Sequence, residues 1–282
     1  MKNLFAFYIL LYFVINISNS LTISNEFIKL KESPIYKDMI NDVQWDLLYE
    51  LSERFIDWND KINLVSRKDI ENYIPNHLLP SLAINKIKTF YDNEKIIDIG
   101  TGGGLPGLPL AILNPNSEFT LLDSNKKKMM VVEDLTKSLK LNNVKIKNVR
   151  AETIIDDKYD YLLGRAVSAI PKFLSFSSHL LKDFNNNNYD DLSISHSGLL
   201  YIKGGDFKDE LLEANIKEEN TLKFPIKDLV NIDTDKFILH IPAKEIINFR
   251  NRNKLNYNSG HGLKDKKRRT KKNNGQFKCN ES

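Results

Sequence analysis

The sequence is poor in cysteine: Cys279 is the single one among 282 residues. That excludes an intramolecular disulfide framework and any metal site built from a cluster of thiolates, and no metal is expected. An excess of one charge is nearly missing too, with 41 Lys and Arg against 37 Asp and Glu for a net +4. Such a balance, taken whole, selects neither a polyanionic nor a polycationic partner. No Lys-Ser/Thr pair follows the glycine-rich stretch near residue 100, so a P-loop is excluded. No repeat of solenoid period is present. The apolar run Leu4–Ile15 is shorter than the roughly 18 residues of a spanning helix.

That run follows Lys2 and leads into the small polar stretch Ser18-Asn19-Ser20, which is the layout of a secretory signal peptide. Residues 1–21 are read as a cleaved signal, with a signal anchor as the alternative. Residues 22–41 then read as an organellar leader, reached through the secretory route. A plastid-like organelle is the first expectation and a mitochondrion the second. No stable membrane span is expected in the mature chain, and a monomer is.

What is present in quantity is globular material: 41% hydrophobic and 28% charged residues allow one fair-sized domain or two small ones. Residues 42–249 are expected to be that domain. Leu47, Leu48, Leu51, Phe55 and Trp58 recur at helical spacing from Asp42 on. A second helical stretch over 70–87 is expected to bend or break at Pro75 and Pro80. Beyond it, short apolar runs at 95–99, 119–122, 144–148, 159–163 and 199–202 read as strands. Helical patterns near 109–113, 126–139 and 170–181 separate several of them, which predicts βαβ units and a parallel, doubly wound sheet. Phe237–Ile241 reads as a further strand, antiparallel and near an edge. The Asn-rich stretch at Asn185–Asn188 reads as a low-complexity loop.

The sharpest local feature is the apolar strand Ile96-Ile97-Asp98-Ile99 running into Gly100-Thr101-Gly102-Gly103-Gly104-Leu105-Pro106-Gly107. Glycines let the backbone turn tightly and approach a ligand closely at the first crossover of a doubly wound sheet. Gly102-x-Gly104-x-x-Gly107 formally fits a dinucleotide fingerprint. The better fit is Asp98-x-Gly100-x-Gly102-x-Gly104, because a carboxylate in the last turn of the strand repels a pyrophosphate and suits a cofactor bearing an ammonium and a sulfonium. S-adenosylmethionine is that cofactor. Asp123 ends the next strand, where a carboxylate can take hydrogen bonds from ribose hydroxyls or act as a helix cap.

Several segments together resemble one family, the bacterial 16S ribosomal RNA 7-methylguanosine methyltransferases of the RsmG, or glucose-inhibited division protein B, type. They are Trp58-Asn59-Asp60-Lys61-Ile62-Asn63-Leu64-Val65-Ser66, His77-Leu78-Leu79-Pro80-Ser81, and the glycine loop with Pro106 and Pro109. Leu121-Leu122-Asp123-Ser124, Arg150-Ala151-Glu152, Arg165-Ala166-Val167 and Lys203-Gly204 follow in family order. Asn76, Pro80 and Gly164 depart from the family's usual Arg, Asp and small hydroxyl or alanine residue. The resemblance implies a Rossmann-like class I methyltransferase fold and methyl transfer from S-adenosylmethionine to a guanine N7 of small-subunit rRNA.

Asp98, Gly100, Gly102, Gly104, Leu105, Asp123, Ala151, Glu152 and Arg165 are then the cofactor-binding candidates. Arg165 is also the one catalytic candidate, since a lone pair on N7 needs no general base. His77 and Lys203 are candidates for RNA contact. The rival readings are a non-catalytic RNA-binding or ribosome-assembly factor on this fold, and a methyltransferase with another RNA substrate.

The charge itself divides along the chain. Residues 250–282 hold eleven Lys and Arg, Lys267-Arg268-Arg269 among them, against Asp265 and Glu281. Without this basic tail and Lys2, residues 3–249 carry −6. A surface that meets the small ribosomal subunit must therefore be a local basic patch, or the tail must supply the attraction to phosphate.

Overall fold

The computed structural model describes residues 23–183 and 197–253. The signal-like run, the Asn-rich insertion and the basic tail with Lys267, Arg268, Arg269 and Cys279 lie outside the described residues.

Seven strands form one sheet: β1 (Lys95–Ile99), β2 (Glu118–Leu122), β3 (Val144–Lys147), β4 (Tyr161–Arg165), β5 (Gly198–Lys203), β6 (Leu222–Pro225) and β7 (Phe237–Pro242), in the order β3-β2-β1-β4-β5-β7-β6. All neighbouring pairs are parallel except those of β7, which runs antiparallel to both β5 and β6. The central strands read as unbroken apolar runs because both faces are covered. Ile96, Tyr161, Leu163 and Leu200 enter one core while Ile97, Leu162, Leu199 and Tyr201 enter the other.

Helices α1 (residues 23–32), α2 (Asp42–Lys61), α3 (Arg67–Ile70), α4 (Leu79–Ile87), α5 (Gly107–Leu113) and α6 (Lys126–Ser138) precede β3 or flank the first strands; α7 (Ile170–Ser177), α8 (Lys208–Glu213), α9 (Ile226–Val230) and α10 (residues 243–253) follow β4. Apolar residues of α2, α4, α5, α6 and α9 fill the first core, and those of α7, α8 and α10 the second. The helix α2 begins with a capping box, in which Asn41 Oδ1 accepts the Gln44 N–H and Gln44 Oε1 accepts the Asn41 N–H.

One expectation is corrected by the packing. The segment 22–41, read as a leader, supplies core from residue 23 on: Phe27, Tyr36 and Ile40 are buried, with Phe27 and Tyr36 edge-on to Trp45. Its few apolar residues are spaced by lysines and glutamates, so its sequence looks like a polar leader although one face packs. The β7 strand is antiparallel and next to the edge, as expected, and β6 beyond it forms the edge itself. That four-residue edge strand ends in Pro225, whose missing N–H suits an edge, and it is too short to show a strand pattern. Residues 70–87 are interrupted at their prolines, as expected, and the interruption is a widened turn: α3 ends at Ile70, Ile74–Leu78 form a π-helical turn, and α4 starts at Leu79. Pro75 and Pro80 carry no N–H, and the Leu79 N–H reaches back to Ile74 O to close the wider turn.

Candidate functional site

The sheet order reverses between β1 and β4, and the loops at their carboxyl ends diverge there into a cleft. The glycine loop forms one wall. Gly100, Gly102 and Gly104 have φ of 71°, 59° and 95°, values that disfavour side chains. A Cβ on Gly104 would lie 2.4 Å from Leu108 Cδ1, and one on Gly107 2.1 Å from Leu121 Cδ2, so these two serve close packing. At Gly102 the nearest atom to a Cβ would be Lys128 Nζ at 3.9 Å, so the loop opens there into space that a ligand can use.

Asp98 lies fully buried beneath the loop. Its Oδ2 accepts from Thr101 Oγ1 at 2.6 Å and from the Gly107 N–H at 2.9 Å, while Oδ1 has no hydrogen-bond partner. Burial pushes this carboxyl up to about 6, against the pull of those two hydrogen bonds and the Arg165 guanidinium. Asp98 thus braces the loop from inside and holds one oxygen in reserve. Asp123, at the end of β2, accepts the Gly102 N–H through Oδ2 at 3.1 Å and the Asn125 N–H through Oδ1 at 2.8 Å. The cap of α6 is Asn125, not Asp123.

Two cavities adjoin at this point. The larger, about 680 Å³, runs from Gly100–Gly103 and Leu105 across Arg165 to Ser66, Asp69, Asn76, His77 and Pro80 of the N-terminal helices, with Lys203 and Lys236 at its border. The smaller, about 330 Å³, is lined by Ile99, Leu122, Ser124, Arg150, Ala151 and Glu152 among others. Gly100, Asp123 and Val167 belong to both. The smaller cavity has the aliphatic walls and strand-end carboxylate that suit an adenosine. The open backbone at Gly102, between Asp123 and Lys128, suits the methionine portion of S-adenosylmethionine, so the residues fit this cofactor.

The far end of the larger cavity holds polar atoms without partners. Arg165 Nη1 and both ring nitrogens of His77 are buried and make no hydrogen bond. Burial, and secondarily the Arg165 charge, press the His77 imidazole down to about 3, so it is neutral near pH 7 with one donor and one acceptor. The π-helical turn presents this ring, and Ser81 Oγ donates to His77 O at 2.8 Å to hold it. Asn59 Oδ1 accepts the N–H groups of Leu64 and Val65, both at 2.9 Å, which shapes the loop that adds Leu64, Val65 and Ser66 to the wall.

Of the candidates, Gly100, Gly102, Leu105, Asp123, Ala151, Glu152, Arg165, His77 and Lys203 line one cavity or both. Asp98 and Gly104 line neither; they support the loop from behind. Lys203 is already engaged, with Nζ 2.8 Å from both carboxylate oxygens of Glu210. Sequence reasoning missed Lys128, Val167, Tyr201 and Lys236. Lys128 could have been found as the third of the run Lys126-Lys127-Lys128 after Asp123, and Val167 as a neighbour of Arg165. Tyr201 looks like any core residue of a strand, and Lys236 carries no local signal.

Residues 44–224 match the family model described as rRNA small subunit methyltransferase G. Among curated relatives, the ribosomal RNA small subunit methyltransferase G of Flavobacterium psychrophilum is 39% identical over 210 residues, covering 74% of this chain and 95% of the relative. That of Christiangramia forsetii is 39% identical over 212 residues, with the same coverage of each. Among solved structures, a SAM dependent methyltransferase from Aquifex aeolicus is similar with a TM-score of 0.43 and 14% identity, covering 60% of this chain and 91% of that one.

Proposed function

The chain belongs to the rRNA small subunit methyltransferase G family, and on that premise we propose that it transfers a methyl group from S-adenosylmethionine to N7 of a guanine in small-subunit rRNA. The observation that carries this reading is the pair of joined cavities: a cofactor-shaped one beside Asp123 and Ala151, and a larger one ending in unpartnered polar atoms on Arg165 and His77.

The cofactor supplies a methyl group activated on a sulfonium. The chain's residues then have three tasks. Gly100, Gly102 and Asp123 hold the donor at the junction of the cavities. Neutral His77 and cationic Arg165 present hydrogen-bond donors that match the O6 and phosphate acceptors of a guanosine. The apolar wall of Phe55, Leu64 and Leu105 excludes water from the transfer line. Guanine N7 carries an in-plane lone pair, so no side chain must remove a proton; alignment alone can contribute roughly 7–11 kcal/mol. Positive charge develops on the base, which makes a neutral His77 a better neighbour for it than a second cation.

The test is methylation of deproteinised small-subunit rRNA by the purified chain, with N7-methylguanosine mapped by cleavage at the modified base. Arg165→Ala is expected to lower single-turnover methylation by about 100-fold while the chain remains folded. Equal turnover would remove Arg165 from the site, and absence of N7 methylation by the wild type would reject the reading.

The same proposal extends to place: the signal-like residues 4–15 support delivery to an organelle containing bacterial-type ribosomes. A fluorescent protein carrying residues 1–22 at its N-terminus should enter that organelle, and a cytosolic distribution would reject the extension.

A further inference from the structure

The chain leaves β4 through a strained turn. Arg165 ends the strand, Ala166 has φ of 52°, and α7 starts at Ile170. A non-glycine residue is disfavoured in this left-handed region, so something outside the turn must hold it. The hydroxyl of Tyr201, on the neighbouring strand β5, does so from below. It donates to Ser168 O at 2.8 Å and accepts the N–H groups of Val167 at 3.2 Å and Ser168 at 3.0 Å. The far end of the turn is tied separately, where Glu210 Oε2 accepts the Ile170 N–H at 2.7 Å.

The ring that carries this hydroxyl lies flat across β4 at Gly164. A Cβ there would fall 2.4 Å from Tyr201 Cε2 and 2.6 Å from Cδ2, with Phe173 Cε2 at 2.9 Å. Phe173 also packs edge-on to the Tyr201 ring, 4.9 Å between centroids. Gly164 and Tyr201 are therefore complementary, since any side chain at 164 displaces the ring and withdraws the hydroxyl from the turn. What the turn positions is the junction of the two cavities. A Cβ on Gly100 would stand 2.9 Å from Val167 Cγ2, so Val167 packs directly on the glycine loop, and Arg165 adjoins it on the other side.

We propose that Tyr201 is a positioning residue for the methyl transfer, its hydroxyl fixing Val167 against the glycine loop and Arg165 towards the acceptor, with Gly164 as the residue that admits its ring. The proposal rests on the reading of the two cavities as donor and acceptor sites. The Tyr201 hydroxyl is taken up by the backbone of Val167 and Ser168, so it acts through the turn.

The full chain carrying Tyr201→Phe keeps the ring and loses three hydrogen bonds. Its melting temperature is expected to stay within a few degrees of wild type, and its calorimetric S-adenosylmethionine affinity within about threefold. Its single-turnover methylation of small-subunit rRNA at saturating cofactor should fall about 10- to 100-fold, the scale of a small misplacement of reacting groups. A second set separates positioning from packing. Gly164→Ala should lower the melting temperature of the wild type more than that of Tyr201→Ala, where the two closest approaches are gone and only that to Phe173 Cε2 remains. The doubly substituted chain should remain slow. Wild-type turnover by Tyr201→Phe, or rates that simply follow melting temperature across the set, would overturn the proposal. A wild-type chain that binds cofactor yet leaves the rRNA unmethylated would instead reject the cavity reading, and this proposal with it.

Discussion

Single residues decide whether the glycine loop folds or binds. Gly102 and Gly104 look alike in the sequence, yet a side chain at Gly104 would collide with Leu108 whereas one at Gly102 would enter open space. Gly102→Asp is therefore expected to fold, with about 1 kcal/mol lost to its φ of 59°. Its carboxylate would enter the open space near Lys128 Nζ and occupy the methionine cradle, so calorimetric affinity for S-adenosylmethionine should fall at least about 100-fold, two factors of ten at about 1.4 kcal/mol each. Retained affinity would show that the cofactor lies elsewhere. Gly104→Ala should lose stability and affinity together. Asp98 was legible as the acid of the loop, but its position behind the loop was not, because a strand pattern gives the face a side chain points to and not what the following turn folds over it.

At the scale of elements, the N-terminal segment is the least legible part of the fold. The helix α1 and the turn after it wrap Trp45 on α2, and Tyr36 is buried with its hydroxyl 3.4 Å from Val230 O at the end of α9. Local sequence could not announce this contact, which joins residues 194 apart. Tyr36→Ala is expected to cost about 3–5 kcal/mol in urea unfolding, the range for deleting a buried aromatic side chain. A loss under about 1 kcal/mol would mean that the segment is an appendage. The π-helical turn shows a different limit. Pro75 and Pro80 mark a disruption in any reading, but whether the chain kinks, breaks or widens depends on which carbonyls neighbouring elements leave free. Here widening places His77 in the cavity.

Among the described residues, His77 and His240 are imidazoles held neutral in the interior. His77 is held down to about 3 and His240, wholly buried on β7, to about 4, in both cases first by burial. The unfolded chain takes up these protons near 6.5 and the folded one does not, so stability must fall as pH drops below 6.5 towards those lower values. Asp98, raised to about 6, works the other way between about 6 and its ordinary 3.8, because the folded state then binds the extra proton. His240 alone accounts for about 3 kcal/mol of the acid loss at 1.36 kcal/mol per unit. Urea unfolding at pH 7.5 and 5 should show the fall, and His240→Leu should reduce it, leaving the His77 share, without lowering stability at pH 7.5, since neither ring nitrogen has a partner to lose. An unchanged slope in that variant would refute the assignment.

The order of strands and helices around the glycine loop, the class of cofactor and the residues of the loop were all legible in the amino-acid sequence. Those features depend on local period and on backbone freedom, which neighbouring residues control. Even the division of charge was readable, and the body with −6 still gathers Lys128, Arg165, Lys203 and Lys236 at the cleft. What the sequence left open is that β6 forms the edge beyond β7, that Lys203 is already bound by Glu210, and that Gly164 and Tyr201 fit one another. Each of these is a contact between segments distant along the chain, set by how two packed faces meet, and side-chain identity alone does not specify that meeting.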